Sequence, residues 1–138
     1  MPRHDPRTAS RTRAEARSRL HQAESFVHVA QLTLAEDDVL ATPGVAAALA
    51  VLGGIAAADA ACCFRLGVRP RGLGHSEASR LVARVSPDGP AMARDLRELL
   101  AVKDDAHYGT SLISRSKAEN MVRRAVRITG MARGCDRG

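Results

Sequence analysis

The densest run of polar chemistry in the chain is LLAVKDDAHYGTSLISRSKAENMVRRA, residues 99–125. Within it Lys103 and His107 stand four apart, so on a helix they share one face, with Tyr108 one step round. Asp104 and Asp105 add carboxylates, and the sole tyrosine of the chain stands beside this histidine. An imidazole serves as general acid or base near neutral pH, and a lysine ammonium neutralises charge that develops on a phosphate. In that reading His107 is the acid/base, Lys103 the phosphate partner, and Tyr108 or Asp104 the group that orients the imidazole. The same residues suit a helix end, where His and Tyr cap carbonyls and Lys103 pairs with a surface acid. Spacing alone favours the helix end.

Three further groups are candidates. Asp59 is the lone charge in a long apolar segment, and an unpaired buried carboxylate costs several kcal/mol, on the order of 3–5. It therefore needs a partner: an arginine, or His107 or Tyr108. The stretch RLGVRPRGLGH gathers Arg65, Arg69, Arg71 and His75 into one loop, a candidate phosphate patch, although loop arginines are common in so Arg-rich a chain. Arg123, Arg124 and Arg127 lie off the apolar stripe of the last segment, in water or against a partner, and Arg123 and Arg127 are candidate phosphate contacts. His4, His21 and His28 have no evident partners.

Composition narrows what these residues can serve. The chain of 138 residues has 21 Lys and Arg, only two of them Lys, against 15 Asp and Glu, for a net charge of +6. That charge is uneven: residues 1–20 carry +4, residues 113–138 carry +5, and the middle carries −3. The basic ends suit nucleic acid, since phosphate contacts need no motif, but no recognition helix with base-reading side chains stands out. With Phe26, Phe64 and Tyr108 as the only aromatics, a stacking platform for single strands and an all-β sandwich are both excluded. The three cysteines are the adjacent Cys62 and Cys63 and the distant Cys135. They offer no C-x-x-C spacing for zinc and no disulfide framework, so neither metal nor cofactor is expected, and a reducing, cytoplasmic setting is. Pro43 to Phe64 is apolar enough to pass for a membrane span, but its Ala and Gly content and Asp59 fit a buried central helix better.

The elements that would position these groups are helical. Residues 1–11 read as a basic arm without periodicity, 12–133 as one bundle, and 134–138 as a tail. Ala16, Leu20, Ala23, Val27, Ala30 and Leu34 draw a stripe at alternating spacings of four and three. A central helix runs from about Val45 to Leu66 and closes at Gly67, with Gly53 and Gly54 as close-packing points. A short helix follows from about Ser76 to Val85, with Ala78, Leu81, Val82 and Val85 on one side. After the turn Asp88-Gly89-Pro90 the stripe Met92, Leu96, Leu99, Leu100 predicts a fourth helix ending near Gly109. The last helix is expected to start at Ser116, with Glu119 completing a capping box. Its apolar set is Ala118, Met121, Val122, Ala125, Ile128, Thr129 and Ala132. The expected fold is an all-α, up-and-down bundle of four to five helices.

Segments of this pattern resemble the HEPN domains, small helical bundles of prokaryotes, and most closely an actinobacterial subgroup of them. GIAAADAACCFRLG resembles the Ala-rich central helix that ends at a Gly, GHSEASRLVARV the short helix introduced by a His, and DLRELLAVKDDAHYG the Leu-Leu, basic, Ala-x-Tyr segment. With the last helix the resemblance spans about Leu40 to Ala132. It implies a homodimer and, in many members, metal-independent ribonuclease activity, often as a toxin paired with an antitoxin such as a small nucleotidyltransferase. The family's nuclease motif is an Arg, usually followed by a polar residue, and then a His with four to six residues between. Lys103, Asp104 and His107 take these positions here, with Lys in place of Arg and three residues intervening. Lysine cannot form the two-pronged fork that Arg makes with a phosphate. Arg69 and His75 meet the spacing but precede the wrong helix. The expected function is binding of RNA or a nucleotide-linked partner, with ribonuclease activity as one form of it. The alternatives are a non-catalytic dimeric interaction module and a basic DNA-associated protein.

Overall fold

The computed structural model describes residues 6–70, 74–103, 106 and 112–137, and its described elements are all helical. They are α1 (Pro6–Ala35), α2 (Pro43–Leu66), α3 (His75–Ala83), α4 (Gly89–Ala101) and α5 (Arg115–Cys135). Local chemistry accounts for most of the boundaries. Thr42, extended at φ −77° and ψ 155°, accepts a hydrogen bond from the Val45 N–H at 3.3 Å, and Pro43 fills the first turn of α2, where no N–H is needed. Gly67 ends α2 at φ 70°, and its N–H donates to the Cys63 carbonyl at 3.2 Å. A left-handed residue there is cheap only for glycine.

Against expectation, α2 starts at Pro43 and not Val45, α3 spans His75–Ala83 and not Ser76–Val85, and three further boundaries differ. α1 starts at Pro6, inside the stretch read as an arm; proline fits a first helical turn, and the run behind it is rich in Ala and Arg. α5 starts one residue earlier, because Ser114 is the extended residue whose hydroxyl accepts from the Lys117 N–H at 3.1 Å. Ser116 thus lies within the first turn, and Glu119 pairs with Arg115 at 2.9 Å rather than closing a capping box. α4 ends at Ala101, where the Val102 N–H reaches back three residues to the Leu99 carbonyl, tightening the last turn.

α2 packs against all four other helices. Its Ala46, Ala47, Ala50, Val51, Ala56, Ala57, Ala58, Ala60, Ala61 and Cys62 are buried, as an almost wholly apolar central helix must be. In length and composition α2 alone among the described helices could cross a membrane, yet its apolar window is mostly buried within the bundle. Small residues let its neighbours come close. A Cβ on Gly53 would lie 2.9 Å from Val27 Cγ2 of α1, and one on Gly54 would run into Leu99 Cδ1 of α4 and reach within 3.6 Å of Ile128 Cδ1 of α5. The expected stripes are the buried ones: Ala16 to Ala30 on α1, Met92, Leu96, Leu99 and Leu100 on α4, and all seven residues named for α5. On α3, Val82 is buried, and Val85 just beyond it, while Ala78 and Leu81 are half-buried.

Gly89 shows where the packing cannot yield. A Cβ there would sit 2.5 Å from the Ala83 carbonyl oxygen and 2.8 Å from that of Val82, both backbone atoms at the end of α3. Gly130, on the outer side of α5, has nothing within 4 Å of such a Cβ. Gly89→Ala is therefore expected to destabilise by about 1–3 kcal/mol despite its better helix propensity, and Gly130→Ala to stabilise by up to about 1 kcal/mol. Opposite shifts of Tm in thermal unfolding check the pair.

Candidate functional site

Asp59 lies on α2, seven residues before its C-terminal end, and its partner is Arg19 of α1. Arg19 donates from Nε at 3.1 Å and Nη2 at 2.6 Å, both to Oδ2, while its Nη1 donates to Gln22 Oε1 at 2.5 Å. Of the partners open to Asp59 from the sequence, the arginine is the one observed. The pair is only partly exposed, so its attraction is less screened than at the open surface.

Beside this pair the chain forms a cleft of about 190 Å³ among α2, α3 and the end of α4. His75, the first residue of α3, and Lys103, two residues past the end of α4, both line it, with Asp59 and an apolar wall including Ile55, Ala58, Leu96 and Leu100. Three candidates that are distant in sequence are thus brought to one hollow. The combination of a cation, a group able to take or give a proton, and a fixed carboxylate suits an anionic ligand that carries a proton-transfer step.

The other candidates fall elsewhere. Arg69 does not line this cleft; its Nη2 donates to Glu15 Oε2 of α1 at 3.3 Å, on a separate groove beside Arg19 and His21. The loop patch is thereby split, because α1 supplies an acid within reach of Arg69 while His75 is committed to the start of α3. Arg71, Asp104, His107 and Tyr108 lie outside the described residues. Cys62, Cys63 and Cys135 are free and buried; burial pushes the Cys62 thiol up to about 12 and raises Cys63, which makes both poor nucleophiles. No cluster of three or more His, Cys, Asp or Glu able to hold a metal occurs among the described residues.

A further charged centre is one that periodicity reading passed over. Asp95 of α4 is 2% exposed and holds two arginines of α5. Arg124 Nη1 donates to Oδ1 at 2.9 Å, and Arg127 donates from Nη2 to Oδ1 at 2.9 Å and from Nε to Oδ2 at 3.1 Å. Arg124 and Arg127, expected in water or against a partner, are engaged by an acid on the facing helix of the same chain. Arg123 is exposed and donates to Asn120 of its own helix at 3.2 Å. The signal was present: Asp95 follows Met92 by three and precedes Leu99 by four, which sets a carboxylate on the buried face of α4.

Burial alone would raise the Asp95 carboxyl, but the hydrogen bonds and charges of Arg127 and Arg124 outweigh it and hold the group below its ordinary value of 3.8. Because the folded value is depressed, this stabilisation is complete above the unfolded value near 3.9 and is lost as pH falls through the folded value. Asp95→Asn is expected to cost about 2 kcal/mol at neutral pH, with both arginines still partly hydrated. It is also expected to flatten the acid limb of stability below about pH 4. Urea unfolding of both proteins across the acid range measures this. In comparisons of the whole chain with protein-family models, curated proteins and solved structures, nothing matches.

Proposed function

We propose that the chain is a HEPN-type helical domain that binds RNA, or a partner bearing a nucleotide, in the cleft among α2, α3 and α4. The observation that carries this reading is the convergence of Lys103 and His75 on one hollow beside the ion-paired Asp59. Lys103 is one of only two lysines in the chain. It lines a cleft whose wall is partly apolar, and in such a setting a phosphate charge is attracted more strongly than in water. The net charge of +6 favours encounter with a polyanion.

As a ribonuclease, such a domain needs a base to take the proton of the attacking 2′-hydroxyl, an acid to protonate the leaving oxygen, and a cation for the charged phosphorane. His107, His75 and Lys103 are the groups suited to these roles in this chain, with Tyr108 or Asp104 orienting His107. The domain works as a homodimer in this reading, with an antitoxin such as a small nucleotidyltransferase as its further partner. Sedimentation of the purified chain tests the dimer.

The decisive experiment is RNA binding and cleavage by the intact chain and its variants. Lys103→Ala is expected to weaken binding about tenfold and lower the salt slope by roughly 0.7, with Tm unchanged. His107→Ala and His75→Ala are expected to abolish cleavage while leaving affinity within about threefold. Affinity unchanged in Lys103→Ala refutes the cleft as the ligand site. Binding without cleavage in the unaltered chain assigns a binding module.

A further inference from the structure

A second charged surface lies between α4 and α5, sharing no lining residue with the cleft, and a buried acid holds two of its arginines. Asp95 faces Arg124 and Arg127, while Asp88 and Gly134 border the same depression, so α4 and α5 run antiparallel along it. The depression is an open groove of about 380 Å³, lined by Asp88, Ala91, Arg94, Arg127, Gly130 and Gly134 among others. At 1.5 Å of rise per residue, the stretch from residue 88 to residue 95 makes it about 10 Å long.

Charge balance sets what it can take. The buried Asp95 carries one negative charge against two guanidinium groups, and Arg94 adds a third cation that makes no ion pair among the described residues. Arg127 is spent on Asp95 through Nε and one Nη2 hydrogen only, which leaves three N–H donors on a side chain that is 54% exposed. A guanidinium fixed by a buried carboxylate loses little further freedom when it grips a phosphate oxygen. Asp88 sits at the other end of the groove and repels an anion from there, which confines the favourable site to the Arg94–Arg127 end.

The floor has a shape to match. Nothing stands within 4 Å of a Cβ built on Gly130, so the part of α5 beside Arg127 leaves room for a ligand to approach its backbone. Among the described residues no aromatic side chain lines the groove. A ligand gripped by guanidinium groups without ring stacking is read through its phosphates and not its bases. We propose that the groove between α4 and α5, held by the buried Asp95, is a nucleic-acid backbone site in which Arg94 and Arg127 grip phosphodiester oxygens without sequence preference. It is independent of the cleft among α2, α3 and the end of α4.

The test uses the full chain and fluorescein-labelled single strands of about 20 nucleotides, RNA and DNA of one sequence, titrated at several salt concentrations from about 50 to 200 mM. The unaltered chain is expected to bind both within about threefold of each other. Arg94→Ala, which removes no bond to Asp95, is expected to weaken both about fivefold and lower the salt slope by roughly 0.7, with Tm unchanged. Arg127→Lys keeps the charge but loses the fork, and a similar weakening is expected even if Tm falls. If both variants bind both strands as the unaltered chain does, the Asp95 cluster is a structural clamp and the proposal fails. Loss with Lys103→Ala but not with Arg94→Ala also overturns the groove while upholding the cleft. Loss with Arg94→Ala but not with Lys103→Ala upholds the groove and refutes the cleft.

Discussion

How closely the other helices can approach α2 governs the rest of the bundle. Gly53 and Gly54 are adjacent in sequence and point to different neighbours, one to Val27 and Phe26 of α1, the other to Leu99 of α4 and Ile128 of α5. Each position without a side chain lets a partner helix seat a bulky residue where a methyl group would otherwise stand. The buried alanines of α2 continue the same effect above and below the glycines. Along these glycines and alanines the helix adds little apolar side chain of its own. Its stability comes from the leucines, valines, isoleucine and methionines its neighbours press onto it, each worth roughly 1.5–3 kcal/mol when fully buried. Tight approach on several sides also fixes the rotation of each helix about its axis, since a knob seated over a glycine cannot slide without collision.

That fixed rotation decides where charge can be buried. Asp59 lies where α2 meets Arg19, and Asp95 where α4 meets Arg124 and Arg127. Each carboxylate joins a pair of helices, α1 to α2 in one case and α4 to α5 in the other. Between α1 and α5, Arg13 and Arg17 reach Asp136 just past α5, and Arg133 reaches Glu24. These outer pairs are well exposed and contribute little individually. The two inner acids matter more, because losing their partners would leave a desolvated charge. Both also stand beside a hollow, so the groups that hold the helices together shape the surfaces a ligand would meet.

Much of the fold was legible because it depends on local chemistry. The stripes of α1, α4 and α5 follow from a period of 3.6, and the boundaries at Gly67 and Pro90 follow from which residues tolerate the ends of a helix. The misreadings were also local: Ser114 and Ser116 are both plausible caps by type, and only the extended backbone at Ser114 separates them. The cleft was less legible. Lys103 stood out by composition, but nothing near it in sequence announced that His75 and Asp59 would share its hollow. Asp95 was missed because apolar residues define a stripe, and a charge in their midst is easily read as an exposed exception.

Local patterning determined a helical chain with a small-residue centre and the inward faces of α1, α4 and α5. It did so because periodicity, capping and side-chain volume act over a few residues. The tertiary structure alone decided which charges meet. Asp59 finds its arginine 40 residues away, and Asp95 finds its two at 29 and 32. Such pairings depend on the angle at which one helix is turned toward another, and no short stretch of chain encodes that angle. The closeness allowed by Gly53 and Gly54 sets it.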